Sequence, residues 1–289
     1  MHPFRYLAAQ TLDEAVAALA EHGTRAKPIA GGTDVLVQLR GERFEIDAIV
    51  DVKGIPELMS VSLNGGLVIG AAAPCCHIYE DAAVSAAYPG IIDAASLIGG
   101  IQIQSRASLG GNLCNSSPSA DGICPLIVHS GVALIAGPNG RRRLPVEDFC
   151  TGPGQNALEA GELLVAIELP APAKGFGAAY QRFIPRNEMD IAIAGVASAL
   201  TLDESGTVAS GRIALAAVGP TPVLAREASA FLAGKPASPE IFAEAGEIAS
   251  GEASPIEDMR GTPAQRLELV KVLTRRTLGV ALERAQANR

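Results

Sequence analysis

Two stretches of this chain pair glycines with hydroxyl and amide side chains: AGGTDVL from Ala30 to Leu36, and SLGGNLCNSSPSAD from Ser108 to Asp121. Glycine lets a backbone approach a ligand closely, and the leading amides of a helix are unpaired at the positive end of its dipole. Both stretches therefore suit a phosphate. Gly31 and Gly32 lie between an expected strand and a helix expected to start near Thr33, where a pyrophosphate fits; a tight turn with Thr33 as helix cap explains the same letters. Asp34 beside a phosphate is unfavourable unless its carboxylate turns away, so the backbone there should matter more than that side chain. In the second stretch Ser108, Gly110, Gly111 and Asn112 offer a hydroxyl, two positions without a side chain and a carboxamide. Ser116, Ser117 and Ser119 continue the polar run to Asp121, whose carboxylate can accept from sugar or ribityl hydroxyls, although serine and glycine also fill ordinary turns. Neither stretch contains G-x-G-x-x-G or G-x-x-x-x-G-K-S/T, which argues against a Rossmann or P-loop site.

Other chemistries find few residues to carry them. The five cysteines, Cys75, Cys76, Cys114, Cys124 and Cys150, form no C-x-x-C pair, and their odd count and irregular spacing make a poor disulfide framework. A zinc or iron–sulfur site on this chain is not expected, and with four histidines and no H-E-x-x-H, catalytic metal chemistry lacks ligands too. Cys75 and Cys76 read as buried, inert thiols. The formal net charge of −8 and the scatter of basic residues leave no footprint for nucleic acid. Arg141 to Arg143, at a hairpin end, read as a solvated face, with docking to an acidic partner as the competing reading. No stretch reaches membrane-spanning length, and the N-terminus, acidic by Asp13, lacks a signal-peptide pattern, so a cytoplasmic protein is expected.

The elements that must position the two stretches can be read around them. TLDEAVAALAEHG has Thr11 and Glu14 as a capping box, apolar Leu12, Val16 and Leu19, and Gly23 as a stop, which predicts a helix. AKPIAGGTDVLVQLRG reads as strand, turn and short helix ending at Gly41; IDAIVDVKGI reads as a buried strand, and SVSLNGGLVIGAA as a hairpin around Asn64-Gly65. Two short helices divided at Pro89 are expected between Ile78 and Gly99. ICPLIVHSG reads as a helix, VALIAGPNGRRRLPV as a hairpin turning at Asn139-Gly140, and ELLVAIELP as a strand. Pro170, Pro172 and Gly175 form a connector. Beyond it come three antiparallel strands, GFGAAYQRF, DIAIAGVASALTLDESG and GRIALAAVGP, and helices near 225–233, 239–249 and along PAQRLELVKVLTRRTLGVALERAQ. At 289 residues, with 48% hydrophobic and 19% charged residues, a globular chain of two domains is expected.

AGGTD followed by SLGGN and NSSPSAD, with PFRYLAAQTLDEAVAAL, ELLVAIELP and YQRFIPRNEMDIAIAG in order, resembles the FAD-binding medium subunit of the molybdenum hydroxylases, the group of carbon monoxide dehydrogenase and xanthine dehydrogenase. The resemblance covers essentially the whole chain. It implies an α+β fold: a two-subdomain FAD-binding domain of the vanillyl-alcohol oxidase (PCMH) type over residues 1–174, with subdomains of about 1–55 and 56–174, then a C-terminal α+β domain over 175–289 with a three-stranded antiparallel sheet and helices. In the family both loops close on the FAD pyrophosphate.

Carried over by position, the resemblance gives Pro28, Ile29, Ala30, Gly31, Gly32, Thr33, Asp34 and Val35 in the first loop, and Ser108, Leu109, Gly110, Gly111 and Asn112 in the second. Asp121 takes the place of an acidic contact to the cofactor, Ile98 that of a residue flanking the flavin ring, and Val165 that of a backbone contact. For Ile98 an ordinary core aliphatic is the competing reading. Arg182 stands where the family often has a lysine near the isoalloxazine, a cation that would favour the anionic reduced flavin; a surface strand cation is the competing reading. The first loop has no histidine of the kind that links FAD covalently in related flavoproteins, so non-covalent FAD is expected, and the cysteine-rich insertion of the benzoyl-CoA-type members is absent. The implied partners are a small 2Fe-2S subunit and a large molybdopterin subunit, arranged as a dimer of heterotrimers, with this chain accepting electrons and passing them to an external acceptor. The alternatives are a stand-alone flavin-dependent oxidoreductase and a flavin-free scaffold subunit.

Overall fold

The computed structural model describes residues 2–289. The chain starts with strand β1 (Arg5–Ala8), helix α1 (Leu12–His22), β2 (Ala26–Ile29), α2 (Val35–Arg40) and β3 (Ala48–Asp51). The capping box of α1 forms as expected: the Glu14 amide donates to Thr11 Oγ1 at 3.2 Å, the Thr11 amide donates to Glu14 Oε2 at 3.3 Å, and Gly23 ends the helix at φ +54°. The three strands make a parallel sheet in the order β1-β3-β2, with β3 buried along its whole length at the centre. A central parallel strand buried on both faces reads as a continuous apolar run, as AIVD nearly does.

After α3 (Pro56–Met59) comes a second lobe. It opens with the hairpin β4 (Val61–Leu63) and β5 (Gly66–Gly70), where Gly65 sits at φ +68°, the left-handed turn conformation that favours glycine. A run of short helices follows: α4 (Cys75–Tyr79), α5 (Ala82–Ala87), α6 (Pro89–Ala95), α7 (Ile101–Gln104), α8 (Leu109–Asn115) and α9 (Ile123–Val128). Asp81 caps α5 and Pro89 occupies the first turn of α6, so the break between them falls where proline requires it. Strands β6 (Val132–Gly137), β7 (Gly140–Pro145), β8 (Cys150–Gly152), β9 (Gln155–Asn156) and β10 (Leu163–Pro170) complete the lobe. An antiparallel sheet in the order β4-β5-β10-β6-β7 carries the helices. The β6–β7 turn lies one residue earlier than expected: Gly137 pairs with Gly140, so Pro138 and Asn139 form the loop. Gly140, at φ +102°, opens the return strand instead of closing the turn.

The connector leads into β11 (Phe176–Phe183), β12 (Ala194–Leu202), β13 (Val208–Ala216) and β14 (Val223–Leu224), then α10 (Arg226–Leu232), α11 (Pro239–Gly251) and α12 (Pro263–Ala287). The sheet has four antiparallel strands, in the order β11-β12-β13-β14, where three were expected. The fourth is two residues long, too short for alternating hydrophobicity to reveal it.

Burial continues across the connector. Leu67, Ile69, Ile91, Leu126 and Ile167 of the second lobe share a core with Ala178, Tyr180, Ala197 and Ala214 of the last sheet, while Val196, Leu215, Phe242 and Leu278 form a further core beneath the C-terminal helices. A polar clamp reinforces the junction: Asp93 on α6 accepts from Arg284 on α12 at 2.6 and 2.9 Å and from the Tyr180 amide at 3.0 Å, and Arg284 also donates to the Ala178 carbonyl at 2.7 Å. Among the described residues no helix is long and apolar enough to cross a membrane.

Candidate functional site

The two glycine loops meet. A Cβ placed on Gly31 would lie 1.8 Å from the carbonyl oxygen of Arg106, two residues ahead of Ser108, so the first loop packs backbone against backbone on the second. Only glycine allows that approach. Between the loops lies a cavity of about 480 Å³ whose wall includes Pro28, Ala30, Gly31, Gly32, Thr33, Asp34 and Val35 from one lobe and Ile98, Ser108, Gly110, Gly111 and Asn112 from the other. Ile29 and Leu109, the remaining residues of the two carried-over stretches, are buried in neighbouring cores and contribute backbone continuity.

The first loop is held from behind. Lys53 Nζ donates to the Ala30 carbonyl at 3.1 Å and to Asp51 Oδ1 at 2.7 Å, while Asp51 also accepts from the Tyr6 hydroxyl. Gly32 takes φ +76°, the second reason this loop needs glycine. The expected Thr33 cap does not form: α2 begins after Asp34, and no side chain caps it. The plain-turn reading thereby loses the hydrogen bond that would have made it sufficient. Asp34 borders the cavity and is exposed, with desolvation by the surrounding wall raising its carboxyl.

In the second loop the glycines divide their work. A Cβ on Gly110 would lie 2.4 Å from the Ala71 carbonyl oxygen, so this residue lets α8 pack against the end of β5. A Cβ on Gly111 would meet only Ser108 Oγ, at 3.0 Å, and Gly111 borders the cavity. Ser108 caps α8 by accepting from the Gly111 amide at 3.0 Å. Asn112 Oδ1 accepts from the Gly122 amide at 3.0 Å and ties the loop to the start of α9. Ser116 and Ser117 bond within the loop, to the Leu113 carbonyl and to Ser119 respectively.

Asp121 and Arg182 are not on the cavity wall; they are brought to each other. Arg182 Nη1 donates to Asp121 Oδ2, and the Tyr180 hydroxyl donates to Asp121 Oδ1 at 2.7 Å. The Arg182 side chain is 6% exposed, which overturns the surface-cation reading. Its Nε is buried without a partner among the described residues. Burial raises the Asp121 carboxyl, with Arg182 and the Tyr180 hydroxyl pulling it back, and burial beside Asp121 raises the Tyr180 phenol well above its ordinary value. Pairing with an acid cancels much of the field Arg182 would project as a lone cation. Through Gly122, the residue after Asp121, this cluster is one step from Asn112.

Val165 sits where the β10–β6 register slips between Leu164 and Ala166, and its carbonyl accepts from the Ala71 amide at 2.9 Å. Its side chain is in the core, and Leu163 and Leu164 border the cavity in its place. Ile98 borders the cavity and also packs on two cores, so its two readings coexist. Cys114 borders the cavity with its thiol pushed up to about 12 by burial, and Cys75 is likewise pushed up to about 12, so both are unreactive as nucleophiles. Arg141, Arg142 and Arg143 pair with Glu57, Glu162 and Glu168 at 2.6, 2.6 and 2.5 Å.

Several cavity residues escaped the sequence reading: Gln38, Arg43, Asn115, Asn156 and Glu159 to Leu164. Gln38 lies two residues beyond the first glycine stretch, so extending that stretch by one helical turn would have found it; Asn115 lies inside the second, between Asn112 and Ser116, and was passed over there. Asn156 lies on a two-residue strand that carries no pattern.

Residues 2–172 match the FAD binding domain in molybdopterin dehydrogenase, and residues 178–281 match the CO dehydrogenase flavoprotein C-terminal domain. Over 283 residues the chain is 33% identical to the xanthine dehydrogenase FAD-binding subunit of Escherichia coli O157:H7, covering 97% of this chain and 96% of that one. It is 32% identical to the carbon monoxide dehydrogenase medium chain of Hydrogenophaga pseudoflava, covering 97% and 98%. CO dehydrogenase from Oligotropha carboxidovorans superposes with a TM-score of 0.93 at 30% identity over 98% of this chain and 99% of that one. Quinoline 2-oxidoreductase from Pseudomonas putida 86 superposes with a TM-score of 0.91 at 29% identity, covering 98% of each. The chain belongs to the FAD-binding subunits of the molybdopterin dehydrogenases and is an oxidoreductase component of that family.

Proposed function

We propose that this chain is the electron-exit subunit of a molybdenum hydroxylase, with one non-covalent FAD between its two N-terminal lobes. The observation that carries this reading is the contact of Gly31 with the Arg106 carbonyl, which makes the two glycine loops walls of one cavity. The residues fit the group: Gly31, Gly32 and Gly111 present backbone without side chains on the cavity wall. Pro28 to Val35 and Ser108 to Asn112 hold the pyrophosphate, Ile98 borders the ring, Val165 offers backbone at the bulge, and Asp121 with Arg182 supports the second loop through Gly122 and Asn112. Bound FAD supplies the redox chemistry, taking electrons from an iron–sulfur subunit and giving them to an external acceptor.

The organic or gaseous substrate is oxidised on a large molybdopterin subunit, and a small 2Fe-2S subunit stands between, in a dimer of heterotrimers in the cytoplasm. The chain divides at 174/175 into the flavin-binding and C-terminal domains, a division supported by the separate family matches on either side. Tagged chain purified from its host should bring down both partners, and acid precipitation should release the flavin into the supernatant. A colourless native chain, or yellow colour left on the denatured pellet, would contradict the cofactor assignment, and recovery of the chain alone would contradict the assembly.

A further inference from the structure

The cavity has a cover that the glycine loops do not explain. One wall is α2, a helix of six residues of which only Leu39 is buried, while Val37 is 65% exposed. Apolar packing therefore anchors this wall to its own lobe through Leu39, with half-buried Val35 packed on the same small core. Across the cavity stands the last turn of α8, which is held firmly. Ser116, at φ +49°, ends the helix, its Oγ donates to the Leu113 carbonyl at 2.8 Å, and its own carbonyl accepts from the Gly154 amide at 3.0 Å. Gln38 joins the two: its Nε2 donates to Asn115 Oδ1 at 2.9 Å, and both side chains border the cavity. Among the described residues this is the one side-chain hydrogen bond between α2 and the second lobe.

We propose that Gln38 and Asn115 form a latch between the two lobes that sets how fast FAD leaves the cavity. The proposal rests on the cavity being the FAD site, and it makes the pair positioning residues that hold α2 against α8. The bond is half-buried, so when it opens both amides rehydrate at little cost. Only the small core of Leu39 and Val35 with Ile29, Ile46 and Ile49 then resists outward movement of α2. Both partners are uncharged, so the latch itself holds across pH and salt.

The test is the release rate of FAD from the loaded full-length chain after dilution, followed by flavin fluorescence. Gln38→Leu and Asn115→Ala should each speed release about fivefold, the factor expected for one net hydrogen bond. The double variant should be no faster than either single one, because each removes the same bond. The charged pair Gln38→Lys with Asn115→Asp should slow release again at low salt and lose that effect at high salt. Unchanged release in both single variants, effects that multiply in the double variant, or a charged pair without salt dependence would each overturn the latch. A wild-type chain that takes up no FAD would instead defeat the site assignment, so the two failures are distinguishable.

Discussion

Gly31 and Gly111 look alike in the sequence, yet the structure gives them different burdens. A methyl group on Gly31 would collide with the Arg106 backbone, whereas one on Gly111 would meet only a serine hydroxyl. Gly31→Ala should therefore separate the loops and weaken FAD binding at least tenfold, while Gly111→Ala should retain most of it, as equilibrium titration with FAD would show. Similar affinities for the two variants would contradict the loop contact. The Asp121–Arg182 pair makes a second residue-scale prediction. Removing one member of a buried pair leaves an unpaired charge, so Arg182→Met should cost about 3–5 kcal/mol in urea unfolding, and adding Asp121→Asn should restore part of it. Both charges were legible as site candidates. Their pairing was not, because it spans 61 positions and depends on the approach of β11 to the loop before α9.

At the scale of elements, the sequence spoke clearly where local chemistry closes on itself. The α1 capping box and the proline that opens α6 need no distant partner. It was silent where length was too short or the partner remote: β14 has two residues, and α2 starts without the cap that Thr33 suggested. His129, at the end of α9, shows what such tertiary placement does. It is buried between Tyr88 and Phe176, at 5.9 and 5.3 Å between ring centroids, with Nδ1 against the Pro125 carbonyl at 2.8 Å and Nε2 unpartnered among the described residues. Burial lowers it from 6.5 to about 4. Between those values the unfolded chain binds a proton that the native chain refuses, so its contribution to stability is full above pH 6.5 and is lost as pH falls toward 4, about 3 kcal/mol in all. His129→Phe should flatten the fall in unfolding free energy over that window by about one proton's worth of slope. An unchanged slope would mean that His129 is protonated in the native state. The clamp on α12 is tested similarly: Arg284→Ala, which leaves the half-buried Asp93 without its cation, should lower the melting temperature by a few degrees, about 1–2 kcal/mol.

In the whole molecule, the connector at Pro170 to Gly175 marks a change of sheet without a break in packing, because one core runs through both sides. That continuity was hidden from the sequence: punctuation by proline and glycine shows where the chain turns, not whether the pieces remain packed. The two loops were legible as anion-friendly turns, but their apposition is a property of the assembled lobes. If the loops are halves of one flavin site, the flavin content of three purified chains, wild type, Gly32→Asp and Gly111→Asp, reports it. At Gly111 the substitution places a carboxylate on the cavity wall; at Gly32, φ +76°, it adds a side chain against Ile29 and Leu36 in a conformation that favours glycine, so each disturbs the backbone expected to meet the pyrophosphate. One FAD per wild-type chain and almost none in either variant is the expected result, with far-ultraviolet circular dichroism little changed. Full flavin content in either variant would show that its loop does not hold the cofactor.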